Sequence, residues 1–271
     1  MVGLDPFIDQ FPPHILKGES NAEIADGIWA FNKAIIDATC DLVPAYKPQA
    51  AFYEQYGWQG FRALEETVKY AKSKGSFVVV DGKRNDIGST VEGYAKAFLS
   101  DGGMGADALT VNGYLGTDGI KPFLSTGKMI FVLVKTSNAS SGELQDRRLD
   151  DGKTVYETMA DLCVKWGADS FSDCGYSNVG IVVGATYAEQ IVELRGKYPN
   201  TFFLIPGYGA QGGKAADIAK AFDKNGLGAI VSAGRSVLYA WKKAGGDGKD
   251  FAEHSRMEVI RMAQDLAGAR K

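Results

Sequence analysis

The chain has 271 residues, 45% hydrophobic and 23% charged, a balance that supports a sizeable buried core and argues against disorder. A formal charge of -3 provides no field to recruit a polyanion, so nucleic acid is not an expected partner. The apolar runs fall far short of the ~20 residues that span a bilayer, no signal pattern precedes Val2, and three cysteines without a C-x-x-C pair suit a reducing compartment, so a cytoplasmic location is expected.

Short apolar runs, often β-branched, recur along the chain and read as strands. The first, Val2 to Leu4, ends in Asp5 and leads into an irregular stretch from Pro6 to Ser20. Ile24, Ile28, Phe31, Ile35 and Ile36 then follow at helical spacing. Val43 to Tyr46 is the second run and ends in Lys47; Phe77 to Val80 is the third and Ala108 to Val111 the fourth. Met129 to Val134, the fifth, opens a second irregular stretch from Thr136 to Asp151. A helical stripe of Val155, Met159, Leu162 and Trp166 precedes the sixth run, Val179 to Val183. Ile191 and Leu194 lie on a further helix before Phe202 to Ile205, and Ala229 to Ser232 completes a set of eight.

Strand and helix therefore alternate from end to end, which implies parallel strands joined by right-handed crossovers. Eight such units close most naturally into a (β/α)8 TIM barrel, expected as a single domain over residues 1–271. An open doubly wound sheet is the alternative, but no G-x-G-x-x-G opens the first helix. Both long irregular stretches follow strand C-termini, where a barrel keeps its active site, and read as substrate covers or as surface decoration.

The segment from Phe77 to Thr90 carries the most chemistry. On an extended strand Asp81 and Lys83 share a face, so opposite charges meet at the strand's mouth. The competing reading is a surface turn at Asp81-Gly82, with Ser89 to Glu92 as a capping box for the next helix. Lys47 and Asp5 weigh against it: three adjacent strands each end in an ionisable group, and such charges are costly inside a barrel mouth unless paired. Across the barrel lie two glycine-rich loops, Pro206 to Gly213 with Gln211, and Gly234-Arg235 at a helix start. There backbone N–H groups, a helix N-terminus and a planar guanidinium suit a phosphate. Lys135-Thr136-Ser137-Asn138, after the fifth strand, could read the polar edge of a base or simply begin a solvated loop. The two histidines, His14 and His254, have no metal-ligand spacing and no nucleophile motif nearby, so they read as structural.

Asp81-Gly82-Lys83-Arg84-Asn85-Asp86-Ile87, with Thr90 beyond, resembles the D-x-K-x-x-D-I signature of the orotidine 5'-phosphate decarboxylases. Asp5, Lys47 and Gly234-Arg235 extend the resemblance from Val2 to about Tyr239, and DGKRNDIGST with PGYGAQGG is nearest to the longer bacterial branch. The resemblance implies decarboxylation of orotidine 5'-monophosphate to uridine 5'-monophosphate with no cofactor and no metal. It assigns Lys83 as proton donor to C6, Asp81 beside the departing carboxylate, and Lys47 and Asp86 as the rest of an alternating Lys/Asp chain. It also implies a homodimer with shared sites, in which Asp86 and Thr90 reach into the partner's site. Asp5 and Thr90 would hold the ribose, Ser137 the pyrimidine edge, Gln211 and Arg235 the phosphate, with Pro206, Gly234 and Asn112 also at the substrate.

Two rivals share the scaffold. A metal-dependent decarboxylase or aldolase of sugar phosphates would need magnesium on carboxylates, but no acidic ligand replaces Lys47. A silent nucleotide-binding protein would have no need of paired buried charges. Relatives usually carry a segment ahead of the first strand, so either the barrel floor is less covered here or the N-terminus is trimmed.

Overall fold

The computed structural model describes residues 1–209 and 212–270. Among them, eight parallel strands lie side by side in chain order: β1 (Val2–Leu4), β2 (Ala45–Pro48), β3 (Phe77–Arg84), β4 (Ala108–Val111), β5 (Met129–Lys135), β6 (Val179–Val183), β7 (Phe203–Pro206) and β8 (Ala229–Ser232). The sheet returns on itself through a bridge between Val2 and Ala233, where Gly3 N donates to the Ala233 carbonyl at 2.8 Å and Ala233 N to that of Met1 at 3.2 Å. This is the expected barrel, with helices such as Asn21–Thr39, Gly57–Ser73, Val155–Trp166 and Phe251–Ala269 on its outside.

Period-two alternation divides the strand residues between two cores. Val78, Val80, Leu109, Val111, Ile130, Val132, Ile181 and Val183 pack outward in the large core they share with the helices. Val79, Ala108, Phe131, Val182 and Leu204 form a separate cluster that fills the barrel. One step further along their strands, the same alternation turns Lys47, Asp81 and Thr110 inward at the C-terminal rim.

Bulges interrupt the alternation on β3 and β5. On β3, Val80 pairs with Leu109 and Arg84 with Val111, so Asp81, Gly82 and Lys83 together face Thr110. Lys83 has φ +48°, the left-handed region that glycine usually occupies. On β5, Leu133 pairs with Val182 but Lys135 with Val183, which leaves Val134 as the extra residue.

Local signals account for most departures from expectation. β2 begins two residues later than Val43, because Val43 N is still bonded to the Thr39 carbonyl of the preceding turn and Pro44 has no N–H to give a ladder. The capping box proposed for Ser89 to Glu92 is absent: the helix Gly88–Leu99 starts after Ile87 with no side-chain cap. Capping boxes form instead at Ser20 with Glu23 and at Thr154 with Glu157. The stretch after β1 is more than a cover, since Phe11 stacks on Phe31 at 4.2 Å and Tyr239 binds the Phe7 N–H at 2.7 Å.

Candidate active site

A cavity of about 320 Å³ opens at the C-terminal rim of the strands. Its charged wall comes from β1, β2 and β3. Lys47 Nζ donates to Asp81 Oδ2 at 2.8 Å and Lys83 Nζ to Asp81 Oδ1 at 2.6 Å, so one carboxylate is clasped by two ammonium groups. Lys47 and Asp81 are buried, whereas the Lys83 side chain is 46% exposed and reaches into the opening.

Thr110 completes this wall. Its hydroxyl donates to Asp81 Oδ1 at 2.8 Å and accepts from the Lys83 backbone N–H at 3.0 Å. The β3 bulge makes both bonds possible, because it sets Asp81 and Lys83 opposite the same β4 residue. The left-handed Lys83 backbone is thus held by the group that orients the carboxylate. Thr110 was not among the residues expected from the sequence; it shares the inward face of β4 with Ala108, but both faces of that strand are buried.

The electrostatics follow from crowding. Burial pushes the Asp81 carboxyl up, but Lys47 and Lys83 outweigh it and hold the group well below the usual carboxylate range. Burial pulls the Lys47 ammonium down, and Asp81 and Asp5 more than restore it, leaving it raised. Asp5 has no such pairing: burial raises its pKa, Lys47 only partly offsets this, and its buried Oδ1 has no hydrogen-bond partner among the described residues. That leaves a buried acceptor able to take a hydroxyl.

Across the opening stand Ser137, Pro206, Gly207, Gly234 and Arg235. A Cβ at Gly234 would lie 2.9 Å from Asp5 Oδ2, so a larger residue there would displace that carboxylate. Arg235 is exposed and has no hydrogen-bond or ion-pair partner among the described residues, so its guanidinium is available at the rim. It opens a helix of only four residues, Arg235–Leu238, so the guanidinium and the glycine backbone are the better anion contacts than a helix dipole. Gln211 lies outside the described residues.

Several expected residues stand apart from the cavity. Asp86 Oδ1 accepts the Ile87 N–H at 2.8 Å and makes no pair with Lys83 in this chain. Thr90 is exposed on Gly88–Leu99. Asn112 Oδ1 accepts the Tyr114 N–H at 3.0 Å, a turn contact away from the cavity. Of the run Lys135 to Asn138, Thr136, Ser137 and Asn138 line the cavity, whereas Lys135 is turned out of the barrel onto Asp146 at 2.6 Å. His14 packs near Phe251 and His254 pairs with Asp250, both remote from the cavity.

Residues 22–245 match the family described as Orotidine 5'-phosphate decarboxylase / HUMPS. Orotidine 5'-phosphate decarboxylase of Rhodopirellula baltica is 43% identical over 98% of this chain and 93% of its own length. The chain belongs to this family. The decarboxylase of Clostridium tetani is likewise 43% identical, over 98% of this chain and 92% of its own. The structure of Leishmania donovani OMP decarboxylase superposes with a TM-score of 0.78 at 29% identity, covering 99% of this chain and 92% of that one. Family membership accounts for the D-x-K-x-x-D-I segment, and the geometry shows what that segment builds: a carboxylate between two ammoniums on the rim of a TIM barrel.

Proposed function

We propose that this chain, as one barrel domain, converts orotidine 5'-monophosphate to uridine 5'-monophosphate and carbon dioxide in pyrimidine nucleotide synthesis, without a cofactor. The observation that carries the reading is the Lys47, Asp81, Lys83 cluster set across an opening from glycine loops and a free guanidinium. In the reaction the bond between C6 and the carboxylate breaks, carbon dioxide leaves, and the electron pair stays on C6. Lys83 Nζ supplies the proton that C6 takes up, and solvent later returns one to the amine. A fixed ammonium stabilises the developing carbanion where water is scarce. Asp81, kept ionised by its two lysines, holds Lys83 and lies beside the departing carboxylate. Lys47 balances the buried charge.

The substrate's remote parts find matching groups. The Asp5 oxygen that has no partner among the described residues suits a ribose hydroxyl, Ser137 the pyrimidine edge, and Arg235 with Gly234 and Pro206 the phosphate, a role proposed also for Gln211, which lies outside the described residues. Phosphate binding far from C6 serves to position the reacting carbon. Magnesium has little to hold it: Asp81 is committed to two ammoniums and Thr110, and no group of three His, Cys, Asp or Glu side chains among the described residues is placed for a metal.

The reading includes a homodimer with shared sites, in which Asp86 and Thr90 serve the partner's cavity. Trp58, Ile87 and Tyr114 support it: they are 73%, 55% and 79% exposed and follow three adjacent strands, β2, β3 and β4, on the rim that also carries Asp86. Exposed apolar groups on one rim are what burial against a second copy would cover. Mass measurement in solution is expected to give a dimer, and Tyr114→Asp with Ile87→Asp to weaken it; a monomeric wild type would remove this part. Among the described residues no helix is long and apolar enough to cross a membrane, and cytoplasmic location is part of the proposal.

The test of the whole reading is direct. The purified chain is incubated with orotidine 5'-monophosphate and EDTA while the ultraviolet change is followed. Turnover is expected; a folded sample without it, or one inactivated by the chelator, defeats the reading.

A further inference from the structure

Lys135 is a fully enclosed lysine at a strand end, its side chain 1% exposed, and the charged wall of the cavity does not use it. The β5 bulge sends its amine outward, where Nζ donates to Asp146 Oδ1 at 2.6 Å and to Ser141 Oγ at 3.5 Å, and lies 4.4 Å from the Tyr187 ring centroid. Asp146 and Ser141 both belong to the 136–151 loop, and Ser141 Oγ is also bonded to Tyr187 OH at 2.8 Å. A buried ammonium is expensive, and a barrel wall closes as well on an apolar side chain at that position. What this one gains is a hold on the loop.

The start of that loop is the part that faces the cavity. Thr136 N donates to Gln145 Oε1 at 3.0 Å, and Gln145 Nε2 returns a bond to Thr136 Oγ1 at 2.7 Å, so residues 136 and 145 are tied together. Ser137, the next residue, lies against β6: a Cβ on Gly184 would stand 2.9 Å from Ser137 Cβ, and Gly184 N donates to the Lys135 carbonyl at 2.8 Å. Ser137 is thus set between the Gly184 backbone and a loop pinned from behind.

We infer that Lys135 is a positioning residue, whose ammonium clasps the 136–151 loop through Asp146 and Ser141 so that Ser137 meets the base of the bound nucleotide already in place. The assignment rests on the decarboxylase reading and deepens it by naming what sets base recognition. A loop ordered before the ligand arrives has less freedom to lose on binding. Loosening it therefore weakens ligands that carry a base and spares those that lack one.

The experiment compares the full-length wild type with Lys135→Met and Asp146→Asn by calorimetric titration with uridine 5'-monophosphate and with ribose 5-phosphate. Both variants are expected to bind the nucleotide roughly tenfold more weakly and ribose 5-phosphate unchanged, with KM for orotidine 5'-monophosphate rising more than kcat falls. Equal weakening toward both ligands, or no change toward either, overturns the inference. Should Lys135→Met not fold, Asp146→Asn decides alone, because that carboxylate is half exposed and outside the cavity lining. A wild type that does not convert orotidine 5'-monophosphate removes the reading and the clasp together; conversion without a base-dependent loss in the variants removes only the clasp.

Discussion

β3 carries a lysine within its terminal bulge and β5 a lysine directly after its own, yet the two ammonium groups finish on opposite faces of the barrel wall. The difference is one of parity. Between Val80 and Arg84, β3 advances four residues while β4 advances two, and two extra residues leave the alternation of faces intact, so Lys83 stays inside with Asp81. Between Leu133 and Lys135, β5 advances two while β6 advances one, and a single extra residue reverses it. Lys135 therefore shares the outward face of Val183 and pairs with a loop, whereas Lys83 faces the cavity. A one-residue change in register separates a lysine that can do chemistry from one that can only organise the residues around it.

Substitution tests that contrast, and the largest effect is expected at Lys83. Lys83→Ala should lose turnover by roughly 10³-fold or more, the scale of a missing proton donor, while still binding uridine 5'-monophosphate. Titration calorimetry beside a turnover assay separates the two, and unchanged turnover would transfer the proton donation elsewhere.

Asp81→Asn is expected next, and its effect extends to the fold. It leaves Lys47 buried without its hydrogen-bonded counter-charge and with only the more distant influence of Asp5, a change that costs about 3–5 kcal/mol and is read by urea denaturation. The pH dependence has a definite sign. Asp81 titrates below its unfolded value, so its pairing stabilises fully above about pH 4 and is lost progressively as the pH falls from there through the lower folded value. The stability gap between wild type and Asp81→Asn should therefore be constant above about pH 5 and narrow as the pH falls below about 4, and curves that stay parallel down to about pH 2 would contradict the assignment.

Thr110→Val should have the smallest effect, lowering kcat roughly tenfold with KM little changed, as expected when one buried hydrogen-bonding hydroxyl is lost. Thr110→Ser keeps the oxygen and should restore the rate. A Val variant as active as wild type would mean that the bulge holds Lys83 without help.

The legible parts of this molecule were those where local pattern and global fold agree. The apolar runs at Val2–Leu4, Ala108–Val111, Val179–Val183 and Ala229–Ser232 coincide with strands residue for residue, because a buried parallel strand needs little more than consecutive apolar side chains. Asp81 and Lys83 were readable as a pair, since alternation places both on one face, and Lys47 as part of the same network, since a charge inside a barrel mouth needs a partner. Thr110 escaped notice because a lone hydroxyl in an apolar strand has the same appearance whether it faces a helix or a cavity. The outward turn of Lys135 was not legible because a bulge is a relation between two strands, and β5 alone contains no mark of it. Asp86 and Thr90 carry the family pattern but lie outside this chain's own cavity.

By itself, then, the order of residues determined the eightfold alternation, the inward step of Lys47 and Asp81, and the glycine loops facing them, because each follows from the period of a strand and the cost of an unpaired charge. Only the closed barrel decided which lysine turns which way, that one threonine serves both Asp81 and Lys83, and that a loop is pinned from behind. Those outcomes depend on how many residues of one strand oppose those of its neighbour, a quantity that exists only once the strands are side by side.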